Sequence, residues 1–350
     1  MRALFSVGQH RIRAREIPEP TKGADEALVR VAACGVCGSE MPHYRSGSEE
    51  AITGHEAAGI VEEPDAEGRL QAGDRVVLLA IPGCGECPSC QQGHENYCPD
   101  IATRGRPWKP FGHAEKIAVF WRYCLPVPDD MTLETAIAVG GCGIGVAWHG
   151  LKRLQIGPGD LVPVMGAGPI GLATVMVLKH LGAAPAAIDI VRYRVAKAEA
   201  FGAVRTLVND SPEGAEEFAA EMRSAGVGKV VLCTSDHRAA ALALRCLAPG
   251  GSVLVLAGLH QWALDSYPMI GVGDKSILGS WHYHRAEWPE LLEAVAAGLP
   301  AQELVTHTFA FADAEEAYRA FAGGRTAKVV LHPEEHLTTR AASLALPRAG

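Results

Sequence analysis

The 350-residue chain lacks several features that mark particular classes of protein. It has no excess of basic residues, because 32 Lys and Arg stand against 40 Asp and Glu, giving a net charge of -8. This balance argues against nucleic acid or an anionic membrane surface as the main partner. Internal repeats and low-complexity tracts are also absent. With 48% apolar and 21% charged residues, the composition predicts a folded globular protein and not a disordered one.

Signals for secretion and membrane insertion are missing as well. The first eight residues hold too short an apolar run for a secretory signal peptide. Residues 161–178 are uncharged and long enough by count for a membrane span, but two prolines and three glycines interrupt them. We interpret this stretch as a strand, a glycine turn and a buried helix. A cytoplasmic protein without a membrane partner is therefore expected.

Length and local texture predict an α/β protein of two domains. Up to about residue 128 the chain is rich in Gly, Pro and Cys, with short apolar runs typical of an irregular β-rich domain. From about residue 145, apolar strands alternate with alanine-rich helices, the pattern of a doubly wound parallel sheet. The strands predicted there are 161–165, 186–190, 229–233 and 252–257.

A glycine-rich turn between the first of these strands and the next helix predicts a dinucleotide site. Residues 166–171 read GAGPIG and match G-x-G-x-x-G, in which glycines permit a tight turn and close approach of a pyrophosphate. The helix N-terminus after the turn offers free N–H groups to the phosphates. The predicted cofactor-binding residues of this turn are Gly166, Gly168, Pro169, Ile170 and Gly171.

Acidic and basic residues at the end of the next strand bear on the choice of cofactor. Asp189 follows Gly171 by 18 residues, about where a carboxylate holds the hydroxyls of the adenosine ribose. A carboxylate there repels a 2′-phosphate, so NAD is favoured over NADP. Arg192 and Arg194 leave NADP open, and Arg194 is a further candidate for cofactor binding.

Four of the ten cysteines are clustered in a lobe at about residues 82–100. Cys84, Cys87, Cys90 and Cys98 have the spacing to converge on one tetrahedral zinc ion with no open position, which makes a structural site. A chain without a signal sequence belongs in a reducing compartment, so disulfides are disfavoured. The bunched spacing disfavours an iron–sulfur cluster.

Other metal-ligand residue types are dispersed. Cys37 follows a strand, His55 and Glu56 lie in a G-H-E-x-x-G motif, and Cys142 lies in a glycine-rich segment. Spacing alone does not connect them, and a lone Cys or His is more often a core residue.

The order of these motifs resembles the zinc-dependent medium-chain alcohol and polyol dehydrogenases. The resemblance covers about residues 1–332 and includes G-H-E-x-x-G, the four-cysteine lobe, GAGPIG, G-D-R-V at 73–76 and C-G-V-C-G-S at 34–39. It implies a GroES-like catalytic domain formed by residues 1–144 and 277–350, and a Rossmann NAD-binding domain formed by residues 145–276. A homodimer or homotetramer joined around Leu254–Val272 is also implied.

The resemblance assigns roles to the dispersed residues. Cys37, His55 and Cys142 match three ligands of a catalytic zinc, which makes two zinc ions per chain. Glu56 matches a residue that in some members replaces or exchanges with the zinc-bound water, and Ser39 matches a proton-relay hydroxyl. Zinc would lower the pKa of a substrate hydroxyl, and NAD would accept the hydride.

Two positions depart from the family pattern. Glu40 stands where an aspartate usually orients the histidine ligand. The relay histidine five residues after Cys37 is replaced by Pro42, and His43 comes one position late. Either His43 substitutes for it through a shifted loop, or the proton leaves through water.

The substrate is an alcohol or ketone whose identity the sequence leaves open. The resemblance places pocket walls near Tyr44, Trp108–Phe111 and Trp281–Arg285, whose polar and aromatic side chains suit a polyol, a cyclitol or an amino sugar. They suit surface groups beside the cofactor equally well. Two other functions stay open: a zinc-independent reductase of activated C=C bonds, and a non-catalytic NAD(H)-binding protein.

Overall fold

The computed structural model describes residues 1–47, 51–81, 83–101, 111–258 and 262–333 of the chain. The chain divides into two compact units. Unit 1 consists of Met1–Leu78, Pro107–Ile137 and Val305–Gly350. Unit 2 consists of Leu79–Arg106 and Ala138–Leu304.

Unit 1 consists mostly of strands, whereas strands and helices alternate in unit 2. The strands are β1 (Arg2–Ser6), β2 (Ile12–Glu16), β3 (Glu26–Val36), β4 (Ala51–Ile52), β5 (Ala57–Glu63), β6 (Arg75–Leu78), β7 (Lys116–Phe120), β8 (Cys124–Pro126), β9 (Leu161–Met165), β10 (Ala184–Asp189), β11 (Arg205–Val208), β12 (Lys229–Leu232), β13 (Ser252–Val255), β14 (Ser276–Gly279), β15 (Val305–Ala310) and β16 (Lys328–His332). The α-helices are Met41–Ser46, Pro88–Gln91, Leu133–Gly140, Ile144–Arg153, Pro169–His180, Arg192–Ala200, Pro212–Ser224, His237–Cys246, Trp288–Ala296 and Ala314–Ala322.

Unit 1 is the β-rich unit that the Gly-, Pro- and Cys-dense sequence predicts. Its larger sheet has seven strands in the order β15-β16-β3-β5-β6-β8, with β7 also paired to β3. A smaller sheet has the order β2-β1-β4. The long strand β3 is almost entirely buried, in keeping with its apolar sequence.

The register of three strands in unit 1 brings distant parts of the chain together. β3 runs antiparallel to β5 with Cys34 opposite Ala57, so the end of β3 lies beside the start of β5. β16 runs antiparallel to β3 on the other side, with Val329 opposite Val36. Residues just after β3, just before β5 and at the start of β16 therefore gather at one edge of the sheet.

Unit 2 contains the predicted doubly wound sheet. Its six strands are all parallel, in the order β11-β10-β9-β12-β13-β14. The chain moves outward in one direction from β9 to β10 and in the other from β9 to β12, which creates the switch point where such sheets bind ligands. The glycine turn at residues 166–171 follows β9 at this position.

Two strands of this sheet, β11 and β14, and the helix of unit 2 that follows β11 are not among the elements predicted from the sequence. β11 is only partly buried along its length, so its four residues lack a strong apolar pattern. The following helix, Pro212–Ser224, has an acidic exposed face and buries only four residues, among them Phe218 and Met222.

The uncharged stretch 161–178 forms β9 and most of the helix Pro169–His180, as predicted. Within the ranges that the structure describes, no helix is long and apolar enough to cross a membrane.

Candidate active site

The glycine turn after β9 has the shape that a dinucleotide site needs. Gly166 has a φ of 90°, in the left-handed region that favours glycine. A Cβ at Gly171 would lie 1.9 Å from the carbonyl oxygen of Gly166, so any larger residue there collides with the backbone. At Gly168, by contrast, a Cβ would meet no atom of the described chain within 4 Å. The turn is thus closed toward the protein and open where a pyrophosphate would approach.

Asp189 fixes this turn from the end of β10. Its two carboxylate oxygens accept hydrogen bonds from the backbone N–H groups of Ala167 (2.7 Å) and Val191 (2.8 Å). Nη1 of Arg194 lies 3.8 Å from the same carboxylate. Asp189 and Arg194 line a cavity of about 440 Å³ within unit 2. Two backbone donors and one guanidinium hold the carboxylate in a single orientation at the wall of that cavity.

The four lobe cysteines converge as their spacing predicts. Their sulfur atoms all lie within 4.8 Å of one another, compared with about 3.8 Å for sulfurs around a tetrahedral zinc with Zn–S bonds of about 2.3 Å. The backbone N–H groups of Cys84, Cys87 and Cys90 point at cysteine sulfurs 3.3–3.5 Å away. Although burial raises the pKa of Cys84, backbone N–H groups lower it to about 7, which favours the thiolate that binds metal. The donor set fits zinc.

The second set of metal-ligand residues lies where the end of β3 meets the starts of β5 and β16 in unit 1. Cys37 follows β3, and His55 and Glu56 precede β5, so the antiparallel register brings them together. Each of the three offers a ligand atom within 4.8 Å of the others. Oγ of Ser39 donates to Sγ of Cys37 at 3.3 Å. Thiolate, imidazole and carboxylate are ligands that zinc accepts, so this donor set also fits the ion.

Glu56 is held by a buried ion pair that the sequence reasoning missed. Nζ of Lys328, at the start of β16, lies 3.0 Å and 2.7 Å from the two carboxylate oxygens. Both side chains are almost completely inaccessible to solvent. Burial raises the pKa of Glu56 and the Lys328 ammonium opposes that rise, leaving it at about 7. The only signal in the sequence is a lysine directly before the apolar run of residues 329–331.

His55 is supported by the glutamate that replaces the usual aspartate. Oε1 of Glu40 lies 3.5 Å from Nδ1 of His55, and Oε2 of Glu40 accepts the hydroxyl proton of Tyr318 at 2.6 Å. Burial lowers the pKa of His55, but hydrogen bonds to Cys37 and Glu40 raise it well above its usual range overall.

The remaining candidate of the relay, His43, is placed on the helix Met41–Ser46. Its Nδ1 lies 3.0 Å from Oγ of the buried Ser6. The structure thus joins Ser39 to Cys37 and His43 to Ser6.

Cys142 belongs to unit 2, between the helices Leu133–Gly140 and Ile144–Arg153. Its Sγ lies 3.5 Å from Nε2 of His282, a residue with a left-handed φ of 55°. Tyr283 is fully buried and donates its hydroxyl proton to the carbonyl of Gly140 at 2.8 Å. The segment 281–285 is therefore largely an internal part of unit 2, although Trp281 is half exposed.

Among the predicted pocket walls, Tyr44 is buried in unit 1, and Trp108 lies outside the described residues.

Comparison with known proteins identifies the family of the chain. Residues 23–129 match the family model of the alcohol dehydrogenase GroES-like domain, and residues 169–297 match that of the zinc-binding dehydrogenases. L-idonate 5-dehydrogenase of Vitis vinifera is 31% identical over 94% of each chain. Sorbitol dehydrogenase of Arabidopsis thaliana is 28% identical over 94% of each chain.

The solved structures agree. Galactitol-1-phosphate dehydrogenase from Escherichia coli is 26% identical, with a TM-score of 0.82 over 95% of this chain and 100% of that one. The GroES-like and Rossmann folds predicted from the sequence are thereby confirmed.

The full-length relatives, both family models and the two zinc-compatible donor sets agree. The chain belongs to the zinc-dependent medium-chain alcohol and polyol dehydrogenases, as its motifs predict.

Proposed function

We propose that this protein is a zinc-dependent dehydrogenase that transfers a hydride between NAD(H) and a secondary alcohol or its ketone. The observation that carries the proposal is the convergence of Cys37, His55 and Glu56 at the edge of the unit 1 sheet. An enzyme that reduces C=C bonds without zinc has no need of this ligand set, and neither does a non-catalytic binding protein. The relatives, which are named as dehydrogenases, favour the first function over both alternatives.

Cys37, His55 and Cys142 are the proposed ligands of the catalytic zinc. Three protein ligands leave one position for the substrate oxygen. Zinc bound there would polarise a substrate hydroxyl and lower its pKa, and the nicotinamide would accept the hydride. Ser39 beside Cys37 is the proposed first acceptor of the hydroxyl proton, and His43 or water carries that proton onward. Lys328 binds both carboxylate oxygens of Glu56 and so fixes the position of that carboxylate.

The four-cysteine lobe is the proposed second zinc site. Four thiolates complete a tetrahedral shell, so this ion has no position for substrate and serves the fold. Two zinc ions per chain follow from the two sites.

NAD is the proposed cofactor in preference to NADP. The turn residues Gly166–Gly171 would bind the pyrophosphate, and Asp189 would accept hydrogen bonds from the adenosine ribose. Its carboxylate is held in place by two backbone N–H groups and cannot easily swing away from a 2′-phosphate. Arg194 lines the same cavity, and its guanidinium lies 3.8 Å from the Asp189 carboxylate, which partly neutralises the charge of Arg194. The negative charge at the wall therefore disfavours a third phosphate.

The proposed substrate class is a polyol, a cyclitol or an amino sugar. The named relatives are dehydrogenases of idonate, sorbitol and galactitol 1-phosphate. In this chain the segment 281–285 supplies His282 beside Cys142, a polar group suited to a hydroxylated substrate.

A homo-oligomer in the cytoplasm completes the proposal. β14 forms the edge of the unit 2 sheet, and the nearby Tyr267 and Val272 are exposed. Unpaired edge strands and exposed apolar residues favour association with a second copy. Residues 259–261 of the predicted contact region lie outside the described residues. A monomer in gel filtration would contradict the oligomer.

Metal content and activity test the proposal together. We expect about two zinc per chain by elemental mass spectrometry, and NAD reduction with polyols or other secondary alcohols. The Cys37→Ala variant is expected to retain one zinc and NADH binding but to lose activity. A parent with one zinc, unchanged in Cys37→Ala, or activity that survives this substitution, would refute the zinc-dependent mechanism.

A further inference from the structure

We propose that Tyr318 is a positioning residue of the unit 1 metal site: its hydroxyl fixes the carboxylate of Glu40, and Glu40 orients His55. This inference rests on the proposed role of His55 as a zinc ligand. Tyr318 is contributed by the helix Ala314–Ala322, 278 residues away from Glu40 in the sequence.

Glu40 occupies a turn that leaves its carboxylate dependent on outside support. It ends the single turn Gly38–Glu40, directly after Cys37, and is mostly buried. One oxygen faces Nδ1 of His55 at 3.5 Å, which is long for a hydrogen bond. The other oxygen accepts from Tyr318 at 2.6 Å, a short, charge-assisted bond. The Tyr318 contact is therefore the stronger of the two that set the direction of the carboxylate.

Tyr318 is equipped to remain a hydrogen-bond donor. Its side chain is fully buried, and burial together with the charge of Glu40 raises the pKa of its phenol well above the usual range. Its ring also contacts that of Tyr44, with centroids 5.3 Å apart, which restricts its orientation.

The buried His113 determines which acceptor the Tyr318 hydroxyl proton is donated to. Nε2 of His113 lies 3.0 Å from the carbonyl oxygen of Gly35, which can only accept, so Nε2 carries the proton and Nδ1 is an acceptor. Burial lowers the pKa of His113, which favours the neutral ring. The hydroxyl of Thr53, 2.9 Å from Nδ1, supplies the proton there. The Tyr318 hydroxyl, at 3.1 Å from Nδ1, is then free to donate to Glu40.

The same histidine supports the backbone that carries His55. A Cβ at Gly54 would lie 2.4 Å from the His113 ring, so the ring packs directly against the residue before His55. The backbone N–H of His113 also donates to the carbonyl of Thr53 at 2.9 Å. His55 is thus held through its ring by Glu40 and through its backbone by His113, and Tyr318 contacts both supports.

The length of Glu40 explains why a third residue is needed. A glutamate has one more rotatable bond than the aspartate usual at this position, and fixing it costs side-chain entropy. The Tyr318 hydroxyl removes that freedom. In a Glu40→Asp variant the shorter carboxylate would no longer reach the hydroxyl, so Tyr318 would lose its influence on the metal site.

The test compares Tyr318→Phe with Tyr123→Phe, a second fully buried tyrosine of unit 1. Zinc affinity is measured by chelator competition, and ligand geometry by the visible spectrum of the Co²⁺-substituted protein. Tyr318→Phe is expected to lower the affinity for one of the two zinc ions by about 10- to 100-fold, the usual effect of losing a hydrogen-bond partner of a metal ligand. It is also expected to shift the visible absorption bands of the Co²⁺-substituted protein. Tyr123→Phe is expected to do neither.

A double-variant comparison isolates the link through Glu40. Removing the Tyr318 hydroxyl from the Glu40→Asp protein should change zinc affinity by less than 2-fold. An equal loss in both backgrounds would overturn the proposal, as would a Tyr318→Phe protein that matches Tyr123→Phe. If Tyr318→Phe alone fails to fold, the comparison of Glu40→Asp with the Glu40→Asp/Tyr318→Phe double variant still tests the proposal. In that background the shorter carboxylate no longer faces the position of the removed hydroxyl, so its loss leaves no buried carboxylate without a donor. A parent that binds zinc only in the lobe would instead refute the proposed function before any substitution.

Discussion

At the scale of single residues, crowding and open space around the backbone separate structural from ligand-binding roles. Gly171 and Gly168 belong to the same motif, yet only Gly171 is forced to be glycine by the protein itself. Lys328 and Glu56 likewise form a contact that sequence spacing cannot reveal, because 272 residues separate them.

The two glycines give a paired prediction for cofactor binding. Gly168→Ala is expected to leave thermal stability nearly unchanged but to weaken NADH binding at least 10-fold, because the new methyl group fills the space left for the pyrophosphate. Gly171→Ala is expected to lower the melting temperature, because its Cβ collides with Gly166. NADH fluorescence titration and thermal melting measure both. Normal NADH affinity in a well-folded Gly168→Ala protein would contradict the proposed pyrophosphate position.

Lys328→Met is expected to destabilise unit 1 by about 3 kcal/mol, because it leaves the Glu56 carboxylate buried without its cation. Urea unfolding measures the loss. The matched control is Lys116→Met, which removes a lysine from a more accessible ion pair with Glu62 and should cost at most about 1 kcal/mol. Combining Lys328→Met with Glu56→Gln should recover much of the stability, and a failure to do so would show that Lys328 acts through packing alone.

At the scale of elements, the segment 281–287 connects several parts of unit 2. Nδ2 of Asn96 in the lobe donates to the carbonyl of Trp281, and Arg285 pairs with the buried Glu95 at 3.2 Å. The ring of His284 lies 4.5 Å from that of His94 in the lobe and 4.6 Å from that of His149, centroid to centroid. The lobe is thus fastened to the rest of unit 2 by a segment that also carries His282.

This segment predicts a loss of stability in mild acid. Burial, with neighbouring His149, lowers the pKa of His284 to about 4, from about 6.5 in the unfolded chain. Between those values the unfolded chain binds a proton that the folded one refuses, so stability falls as the pH drops from about 6.5 toward 4. Urea midpoints between pH 7 and 5 should therefore fall less steeply in His284→Asn than in the parent. The exposed His237→Asn is the control, and equal slopes in all three proteins would exclude His284 as a cause.

At the scale of the whole molecule, the sequence predicts repeating patterns well and long-range contacts poorly. β9 matches its predicted bounds, and the strands at 229–233 and 252–257 end within two residues of theirs, because buried parallel strands are continuous apolar runs. The proximity of the four lobe cysteines is equally predictable, since they are close in sequence. β11 lacks such a run. The Lys328–Glu56 contact depends on strand register and the Tyr318–Glu40 contact on helix packing, neither of which a local pattern encodes. The domain bounds at 144/145 and 276/277 and the roles of the site residues stay predictions.

The discontinuity of unit 1 has a consequence for how the protein matures. The carbonyl of Ala32 in β3 is paired with His332 after a separation of 300 residues, whereas the lobe cysteines lie within a 14-residue interval. As the chain leaves the ribosome from its N-terminus, the lobe can close on an ion early. Glu56 gains its Lys328 partner only after β16 has been synthesised, because contacts between distant parts of the chain form late. We therefore expect the lobe to be able to bind metal before the Glu56 carboxylate has its cation, so that the second set of ligands is the later of the two to become rigid.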